Sequence, residues 1–238
     1  MRRIIVAKTM EEAYKARRDS AGAVYLTGGT EVLRLGGRAD AGSTIIDISS
    51  FLPAGISLDR DKNLVIGAAA TFQDVIDCPL TPEWLRKACH YMASLSLRMQ
   101  ATVGGNIASL RDDSYLIPTL LAAGARLKTY GNRGFMEGSL QDYVSIGGSR
   151  YAILSVTVDR DACVASRRIA RSSSTHSALN IALGRGRGFY AALKGSGILQ
   201  GIEAINACEP VDDLTGSAGY KRYIIGQCAG LLSQEVEE

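Results

Sequence analysis

The sequence predicts an α+β protein built from several small units, and three observations support this. The first fifty residues alternate short apolar runs with helical spacing, which indicates a small βαβαβ unit. Residues 53–160 combine a hairpin, capped helices and further strands, as a larger mixed α/β unit would. After Asp159-Arg160-Asp161, three predicted strands and then helices indicate a small α+β unit with a three-stranded antiparallel sheet. We expect one domain over 1–160, with sub-units at about 1–52 and 53–160, and a second over 161–238.

The N-terminal unit contains five predicted elements. Its strands are short β-branched or apolar runs, and Thr9 and Glu12 have the spacing of a capping box. The elements are a strand at Arg3–Ala7, a helix from Thr9 to about Ser20, a strand at Ala23–Leu26, one or two helical turns at Glu31–Leu35 ended by Gly36-Gly37, and a strand at Thr44–Ile48.

The middle unit begins with a predicted hairpin and continues through several helices. We interpret Trp84, Ala88 and Tyr91, which share one helix face, as core. The elements are a hairpin of Gly55–Asp59 and Leu64–Ala68, a short helix capped by Thr71, a longer helix from Thr81-Pro82 to about Ser94, a helix at Leu116–Ala123, strands at Ala125–Thr129 and Tyr151–Val158, and a helical turn capped by Ser139 between those strands.

The C-terminal unit contains the run Gly184-Arg185-Gly186-Arg187-Gly188, for which two interpretations exist. It approximates a dinucleotide fingerprint, but its third glycine is one residue early and no helix obviously follows, so a hairpin turn is favoured. The unit's predicted elements are strands at Cys163–Ala170, Ala178–Leu183 and Phe189–Leu193, helices near Gly197–Ala207 and Ser217–Leu232, and a solvated acidic tail at Gln234–Glu238.

Composition excludes several classes of protein. The chain has 238 residues, 46% of them hydrophobic and 21% charged, which is typical of a soluble globular protein with a sizeable core. Its 27 basic and 24 acidic residues are too evenly balanced for a nucleic-acid binder. No apolar run is long enough to span a membrane, and the N-terminus becomes polar too soon for a signal peptide. We therefore expect a cytoplasmic protein with neither a nucleic-acid nor a membrane partner.

Cysteine and histidine usage predicts no metal site. The cysteines are odd in number and widely separated, so neither a disulfide framework nor a Cys-x-x-Cys site is indicated, and buried thiols are favoured. His90 and His176 lie far apart and have no partners at ligand spacing. The five cysteines are Cys78, Cys89, Cys163, Cys208 and Cys228.

Two glycine-rich stretches are the strongest functional signal. Each places a glycine pair beside hydroxyl or amide side chains at the edge of an apolar run, at Tyr25–Leu33 and at Gln100–Ala108. Glycine pairs allow positive φ and close backbone approach, so successive N–H groups can converge on an anion such as a diphosphate. The alternative for either stretch alone is a tight turn after a strand. Their occurrence together favours two loops that hold a diphosphate between them.

These stretches resemble the two FAD diphosphate loops of the flavin subunit of molybdenum hydroxylases, the xanthine dehydrogenase and carbon monoxide dehydrogenase family. The similarity continues in order through most of the chain, which is more specific than either loop alone. The segments that carry it are Thr27-Gly28-Gly29-Thr30-Glu31, Ala101-Thr102-Val103-Gly104-Gly105-Asn106-Ile107, Ile45–Ser49, Leu64–Ala69, Pro118–Ala122 and Gly216–Tyr223.

The resemblance implies an FAD-dependent oxidoreductase subunit that needs no acid–base residue of its own. Partner subunits of the same hetero-oligomer would hold the molybdopterin centre and two [2Fe-2S] clusters, and electrons would pass through FAD to NAD⁺ or another acceptor. The glycines implied at the diphosphate are Gly28, Gly29, Gly104 and Gly105. The residues implied to bind phosphate or sugar hydroxyls are Thr27, Thr30, Glu31, Thr102 and Asn106.

Departures from the family pattern leave a second interpretation open. Tyr115 stands where the family has an aspartate that binds FAD hydroxyls, Arg98-Met99 stands where it has an Arg-Asn pair, and the C-terminal domain is short. Asp112 or Asp113 either replaces the aspartate or belongs to a solvated acidic turn. The alternative function is a non-catalytic assembly subunit of the same fold with weak or lost flavin binding.

Overall fold

Three sheets organise the chain in the computed structural model, which describes residues 3–34, 43–92, 94–148, 151–173 and 175–237. The strands are β1 Arg3–Val6, β2 Val24–Leu26, β3 Thr44–Asp47, β4 Ile56–Leu58, β5 Leu64–Gly67, β6 Arg126–Gly131, β7 Gly134–Ser139, β8 Ala152–Val158, β9 Val164–Ala170, β10 Ser177–Gly184, β11 Gly188–Leu193 and β12 Gly197–Gln200. The helices are α1 Met10–Arg18, α2 Phe72–Asp77, α3 Glu83–His90, α4 Leu95–Arg98, α5 Val103–Ser109, α6 Ile117–Ala122, α7 Leu140–Ser145, α8 Ile202–Ala207 and α9 Ala218–Glu237. The prediction of a mixed α+β class is confirmed.

The N-terminal sheet is parallel and has the order β1-β3-β2. Helix α1 connects β1 to β2, and Thr9 caps it by accepting a hydrogen bond from the Glu12 N–H, as predicted. Over its described part, the predicted second helix is reduced to a single turn. Residues 31–34 form a turn with one helical hydrogen bond, from Leu33 N to Gly29 O at 3.0 Å. A single bond does not offset the cost of nucleating a helix. Leu35, Gly36 and Gly37 lie outside the described residues.

The central sheet is antiparallel and has the order β4-β5-β8-β6-β7. The predicted hairpin of β4 and β5 is confirmed, and so is the cap of α2, where Thr71 and Asp74 form a complete capping box. Strand β7 and helix α4 were not predicted. The sequence of β7, GFMEGS, holds two glycines and no β-branched residue, so its propensity is low and pairing with β6 decides its conformation.

The C-terminal sheet has four antiparallel strands in the order β12-β11-β10-β9, rather than three. The segment Gly197–Gln200, predicted as the start of a helix, pairs with β11 as a strand. Gly201, at φ +87°, separates this strand from α8. The hairpin interpretation of 184–188 is confirmed, because Gly184 and Gly188 pair at the end of the β10–β11 ladder.

Helix α9 continues through the segment that was predicted to be an acidic tail. Leu232 and Val236 are buried, and Arg167 on β9 forms an ion pair with Glu235. Burial of these apolar side chains and the ion pair stabilise the last turns, so the solvated-tail prediction is wrong over its described residues. Of the helices that the structure describes, none is both long enough and apolar enough to span a bilayer.

The largest core lies between the central sheet and the helices that follow it. Phe72, Leu116 and Ile117 are fully buried there, and Tyr190 of the C-terminal sheet reaches the same cluster. The predicted core stripe of α3 is confirmed, since Ala88 is buried and Trp84 and Tyr91 pack against this cluster. The Tyr91 hydroxyl also donates to the Ser166 carbonyl at 2.8 Å. The central and C-terminal sheets therefore share packing through α3 and α6.

Lys221 of α9 is fully buried and fixes the loop that precedes the helix. Its ammonium group contacts Asp213 Oδ2 at 2.8 Å and donates to the carbonyls of Val211 at 2.9 Å and Lys194 at 3.1 Å. Burial opposes ionisation of Asp213, but the hydrogen bonds from Lys221 and Thr215 outweigh it and hold the pKa of Asp213 at about 2. This pair joins the 211–213 loop to the end of β11.

We predict that Lys221→Met lowers the free energy of unfolding by about 3 kcal/mol, because it leaves Asp213 and two carbonyls without their buried partner. Urea denaturation measures the change, with Lys15→Met on the exposed face of α1 as the matched control. A loss no larger than that of the control would contradict the assigned role of Lys221.

We also predict that the stability gap between the wild-type protein and Asp213→Asn narrows in acid. The pKa of Asp213 is depressed in the folded state, so its contribution is present above about pH 4 and is lost as the pH falls towards 2. Urea denaturation at several values between pH 5 and pH 2.5 measures the gap. A gap that stays constant over this window would show that the Asp213 carboxylate contributes nothing to folding.

Candidate functional site

A cavity of about 430 Å³ lies where the two glycine stretches meet. Strand β2 ends at Leu26 and delivers the first stretch to its rim, while the second stretch precedes and begins α5. Its size is in the range of small-molecule sites. The predicted residues that line it are Thr27, Gly28, Gly29, Thr30, Glu31, Thr102, Gly105 and Asn106.

The two stretches are in direct contact. The Thr27 and Thr102 hydroxyl oxygens lie 3.3 Å apart, within hydrogen-bonding distance. A Cβ atom on Gly28 would lie 1.8 Å from the carbonyl oxygen of Gln100, far inside any van der Waals contact. Glycine at position 28 is therefore required for the first stretch to approach the second.

The first stretch supplies the free backbone donors of the site. Within the described residues, the N–H groups of Gly28, Gly29 and Thr30 donate no hydrogen bond. Gly29 has φ +74°, the left-handed conformation that the sequence analysis expected of a glycine pair. Unpaired N–H groups that line a cavity are available to a ligand, so this loop is well suited to bind an anion.

The second stretch has a different conformation from the one expected. It is the first turn of α5, neither of its paired glycines has positive φ, and its N–H groups are bonded within the protein. Gly104 N donates to Ala68 O at 3.0 Å, and Gly105 N donates to the Thr102 hydroxyl at 3.1 Å. The expectation that this glycine pair turns free N–H groups towards a ligand is wrong, because strand-end carbonyls and the helix cap use those donors.

The two glycines of the second stretch differ in their surroundings. Gly104 is buried, and a Cβ atom there would lie 2.6 Å from the Ala68 side chain, so it packs against the end of β5 and does not line the cavity. Gly105 is exposed at the cavity, where a Cβ atom would lie 2.7 Å from the Thr102 hydroxyl and 3.8 Å from that of Thr27. Gly105 therefore keeps the space beside the two hydroxyls open.

Asn106 lines the cavity, and a hydrogen bond to its amide oxygen fixes its side chain. Its Oδ1 accepts a hydrogen bond from the Ser114 hydroxyl at 2.9 Å. That hydroxyl also accepts the Ile117 N–H at the start of α6. Because Oδ1 already accepts this hydrogen bond, Asn106 can bind a ligand through the N–H groups of its side-chain amide.

Glu31 belongs to an ion cluster instead of standing free. Arg34 Nε lies 3.0 Å from Glu31 Oε2, and Arg111 Nη1 lies 3.0 and 3.1 Å from its two carboxylate oxygens. Arg111 also holds Asp113 in a bidentate pair, through Nε at 2.6 Å and Nη2 at 2.7 Å. These hydrogen bonds raise the pKa of Arg111 above its ordinary value, so the guanidinium stays charged.

The acidic turn after α5 is not a solvated one. Asp113 is 2% exposed, and its Oδ2 lies 2.7 Å from His176 Nδ1. Burial opposes its ionisation, but hydrogen bonds from Arg111 outweigh this and hold the pKa of Asp113 below its ordinary value. Asp112 contacts Lys194 Nζ at 2.7 Å and accepts the Gly195 N–H at 2.9 Å. Both carboxylates thus tie this turn to the C-terminal sheet.

Tyr115 lines the cavity where the sequence analysis noted the missing aspartate. The Arg168 guanidinium lies 5.4 Å from the centre of its ring, a cation–π contact between the turn and β9. The position therefore provides an aromatic wall. Burial raises the pKa of the Tyr115 hydroxyl above its ordinary value, so it stays protonated at neutral pH.

Several lining residues were missed by the sequence analysis. Tyr25 lies two residues before Thr27, the start of the first loop. Its hydroxyl is buried without a partner in the described structure, and burial raises the pKa of Tyr25 to about 12. Its place beside the predicted loop was a usable signal. Arg111 had no such signal for its contact with Glu31, and His176 had none for its contact with Asp113, because these partners are distant in sequence. Nowhere in the described ranges do three or more His, Cys, Asp or Glu residues form a group that could hold a metal ion.

A dinucleotide fits the chemistry of this cavity. Its wall offers unpaired N–H groups at Gly28–Thr30, amide and hydroxyl groups at Asn106 and Thr27, and an orphaned hydroxyl at Tyr25. Apolar and aromatic side chains complete the lining, which is the usual composition of a cofactor site. These apolar and aromatic residues are Val24, Met92, Leu97, Ala101, Tyr143 and Tyr151.

Comparison with known proteins gives sequence matches over much of the chain. Residues 1–153 match the model of the FAD binding domain in molybdopterin dehydrogenase. The uncharacterized protein YgfM of Escherichia coli K12 is 33% identical over 184 residues, covering 68% of this chain and 69% of that protein. The putative xanthine dehydrogenase FAD-binding subunit XdhB of the same organism is 33% identical over 133 residues, covering 54% of this chain and 46% of that subunit.

Solved structures share the fold over nearly the whole chain. A chain of carbon monoxide dehydrogenase from Hydrogenophaga pseudoflava superposes with a TM-score of 0.83 at 20% identity, covering 98% of this chain and 96% of that one. A chain of quinoline 2-oxidoreductase from Pseudomonas putida 86 superposes with a TM-score of 0.82 at 16% identity, covering 100% of this chain and 97% of that one.

We predict that Gly28→Ala destabilises the protein by about 1 to 3 kcal/mol, because the new methyl group must displace the Gln100 carbonyl. Gly55→Ala is the matched control, since a Cβ atom there has nothing within 4 Å and its effect should stay within about 0.5 kcal/mol. Urea denaturation measures both variants. Equal stability of the two would show that the two stretches do not meet as described.

Proposed function

The chain belongs to the family of FAD-binding domains in molybdopterin dehydrogenases, and we propose that it is the electron-transfer flavin subunit of a xanthine dehydrogenase-like enzyme. One observation carries the proposal: a cavity lies between the two loops that the family resemblance implied, and unpaired backbone donors line it on one side. Bound FAD would supply the redox chemistry, and the protein would bind and orient it.

Each part of the cavity has a role in this proposal. The N–H groups of Gly28, Gly29 and Thr30 hold the diphosphate, and Thr27, Thr102 and Asn106 add side-chain hydrogen bonds. Gly105 keeps the space beside these two hydroxyls open. Gly104 supports the site from behind by packing against Ala68.

The role proposed for Glu31 is narrower than the one the resemblance implied. Both of its oxygens are engaged by Arg111, and Arg34 also contacts one of them. Glu31 therefore orients the first loop together with Arg34 and Arg111. It binds a sugar hydroxyl only through the lone pairs of its carboxylate that the two arginines leave unused.

We propose a division into domains at about residue 160. Strands β1–β8 form the two N-terminal sheets, and β9–β12 form the C-terminal one. Residues 1–160 would then bind the cofactor, and residues 161–238 would support it through the contacts to Asp112 and Asp113.

The partners follow from the family. We propose that other subunits carry the molybdopterin centre and two [2Fe-2S] clusters, and that NAD⁺ or another acceptor receives the electrons. Co-purification from the native host, followed by metal analysis, tests this part separately from flavin binding.

A second candidate function is an assembly subunit that holds flavin weakly. The observation that favours it is the absence of a free carboxylate at the turn, because Tyr115 replaces the expected aspartate and Asp113 is already paired. Visible flavin absorbance of the purified protein, and FAD released on denaturation, separate the two candidates.

We predict that Gly105→Val weakens FAD binding by about 10- to 100-fold, because the branched side chain of valine fills the part of the cavity beside the Thr27 and Thr102 hydroxyls. FAD titration followed by flavin fluorescence measures the affinity. Gly226→Val on the exposed face of α9 is the control, since a Cβ atom there meets nothing within 4 Å.

Thermal unfolding of both variants separates lost binding from lost folding, because the valine at 105 also crowds the Thr102 cap. Unchanged FAD affinity in a folded Gly105→Val protein would refute the proposed location of the cofactor.

A further inference from the structure

Arg111 has donor capacity that the protein does not use. A guanidinium carries five N–H groups. Nε and one N–H of Nη2 bind Asp113, and Nη1 binds Glu31. Nη1 contacts both Glu31 oxygens, so one N–H of Nη2 is left without a partner in the described structure. The side chain lines the cavity and is 20% exposed.

The guanidinium lies beside the free donors of the first loop. It contacts Glu31, which directly follows Thr30, the last of the three residues whose N–H groups are unpaired. Arg111 and the three residues line the same cavity, so an anion bound by those N–H groups would share the cavity with the guanidinium. Arginine binds phosphate oxygens through paired N–H donors in a fixed plane, so the orientation of the guanidinium decides whether the contact forms.

Asp113 fixes that orientation. It binds Nε and Nη2 in the bidentate geometry that holds a guanidinium plane most firmly. It is itself held by the C-terminal sheet, through His176 at 2.7 Å from Oδ2 and through Asn180 Nδ2, which donates to its backbone carbonyl at 3.2 Å. Lys194 Nζ lies 4.0 Å from the same carboxylate.

We propose that Arg111 binds the diphosphate of the cofactor directly, beside the first glycine loop, and that Asp113 is its positioning residue. This inference rests on the proposed function and adds two residues that neither the loops nor the family resemblance assigned. It also gives the departure at Tyr115 a physical meaning. The turn that would have offered a carboxylate to FAD hydroxyls instead offers a guanidinium to FAD phosphates.

The local charges show what kind of contact this is. Glu31 and Asp113 offset the positive charge of Arg111, so the contribution of Arg111 comes from directed hydrogen bonds more than from net charge. Arg111→Lys keeps the charge and loses the planar fork. Arg111→Lys should therefore lower the affinity for FAD and ADP nearly as much as Arg111→Met does.

The test compares three ligands on the full chain stripped of flavin. FAD and ADP contain the diphosphate, and riboflavin does not. Arg111→Met should lower the affinity for FAD and ADP by about 10- to 100-fold and leave the affinity for riboflavin within about twofold of wild type. Arg126→Met is the matched control, because Arg126 is 68% exposed on the central sheet and does not line the cavity.

Asp113→Asn tests the positioning role. It should lower the affinity for FAD and ADP while leaving that for riboflavin nearly unchanged. The double variant Arg111→Met/Asp113→Asn should bind FAD and ADP no more weakly than Arg111→Met alone. A merely structural role would lower the affinity for all three ligands together, or would give additive losses. If Asp113→Asn does not fold in a thermal unfolding assay, Arg111→Lys and Arg111→Met still decide the ligand contact.

Two outcomes overturn the inference: Arg111→Met binding FAD and ADP as tightly as the wild type, or riboflavin affinity falling by the same factor as that of FAD. Failure of the proposed function looks different. A wild-type protein that binds no FAD would refute that function, while the ADP titration would still show whether Arg111 contacts a diphosphate.

Discussion

The close approach of two backbone segments, at Gly28 and at the carbonyl of Gln100, is the constraint on which the site depends. No side chain larger than hydrogen fits at position 28 without moving one segment. This approach places the Thr27 and Thr102 hydroxyls 3.3 Å from each other, beside the first-loop residues whose N–H groups are unpaired within the described residues and which line the cavity. The N-terminal sheet and α5 are thereby joined at the proposed cofactor site.

The two loops do different work in this arrangement. The first loop has N–H donors that are unpaired within the described residues and a left-handed glycine, so it is the element suited to bind an anion. The second loop is the capped first turn of α5, and its N–H donors are already bonded within the protein. It contributes side chains to the cavity wall, and its glycine at the cavity leaves room for a ligand. The ion cluster of Glu31, Arg111 and Asp113 then links the first loop to the C-terminal sheet through His176. All three sheets therefore contribute to the walls or supports of one cavity.

The fold was predictable wherever local signals were strong. The capping residues Thr9 and Thr71, and the hairpin around 184–188, were read correctly because each depends on residues close in sequence. Strands β7 and β12 were missed or misassigned because their sequences have weak propensity and pairing with a neighbour decides them. The end of α9 was misread as a tail because the burial of Val236 and the ion pair to Arg167 form only in the folded protein.

The sequence by itself determined the glycine pairs, their flanking hydroxyls and hence the family, because these depend on residue type and order. Only the tertiary structure decided which glycines face the cavity and which N–H groups remain free. It also decided that the acidic turn is paired with Arg111, His176 and Lys194. The physical reason is that hydrogen bonds and charge pairs between distant segments depend on how the sheets pack, and packing is not encoded at any single position.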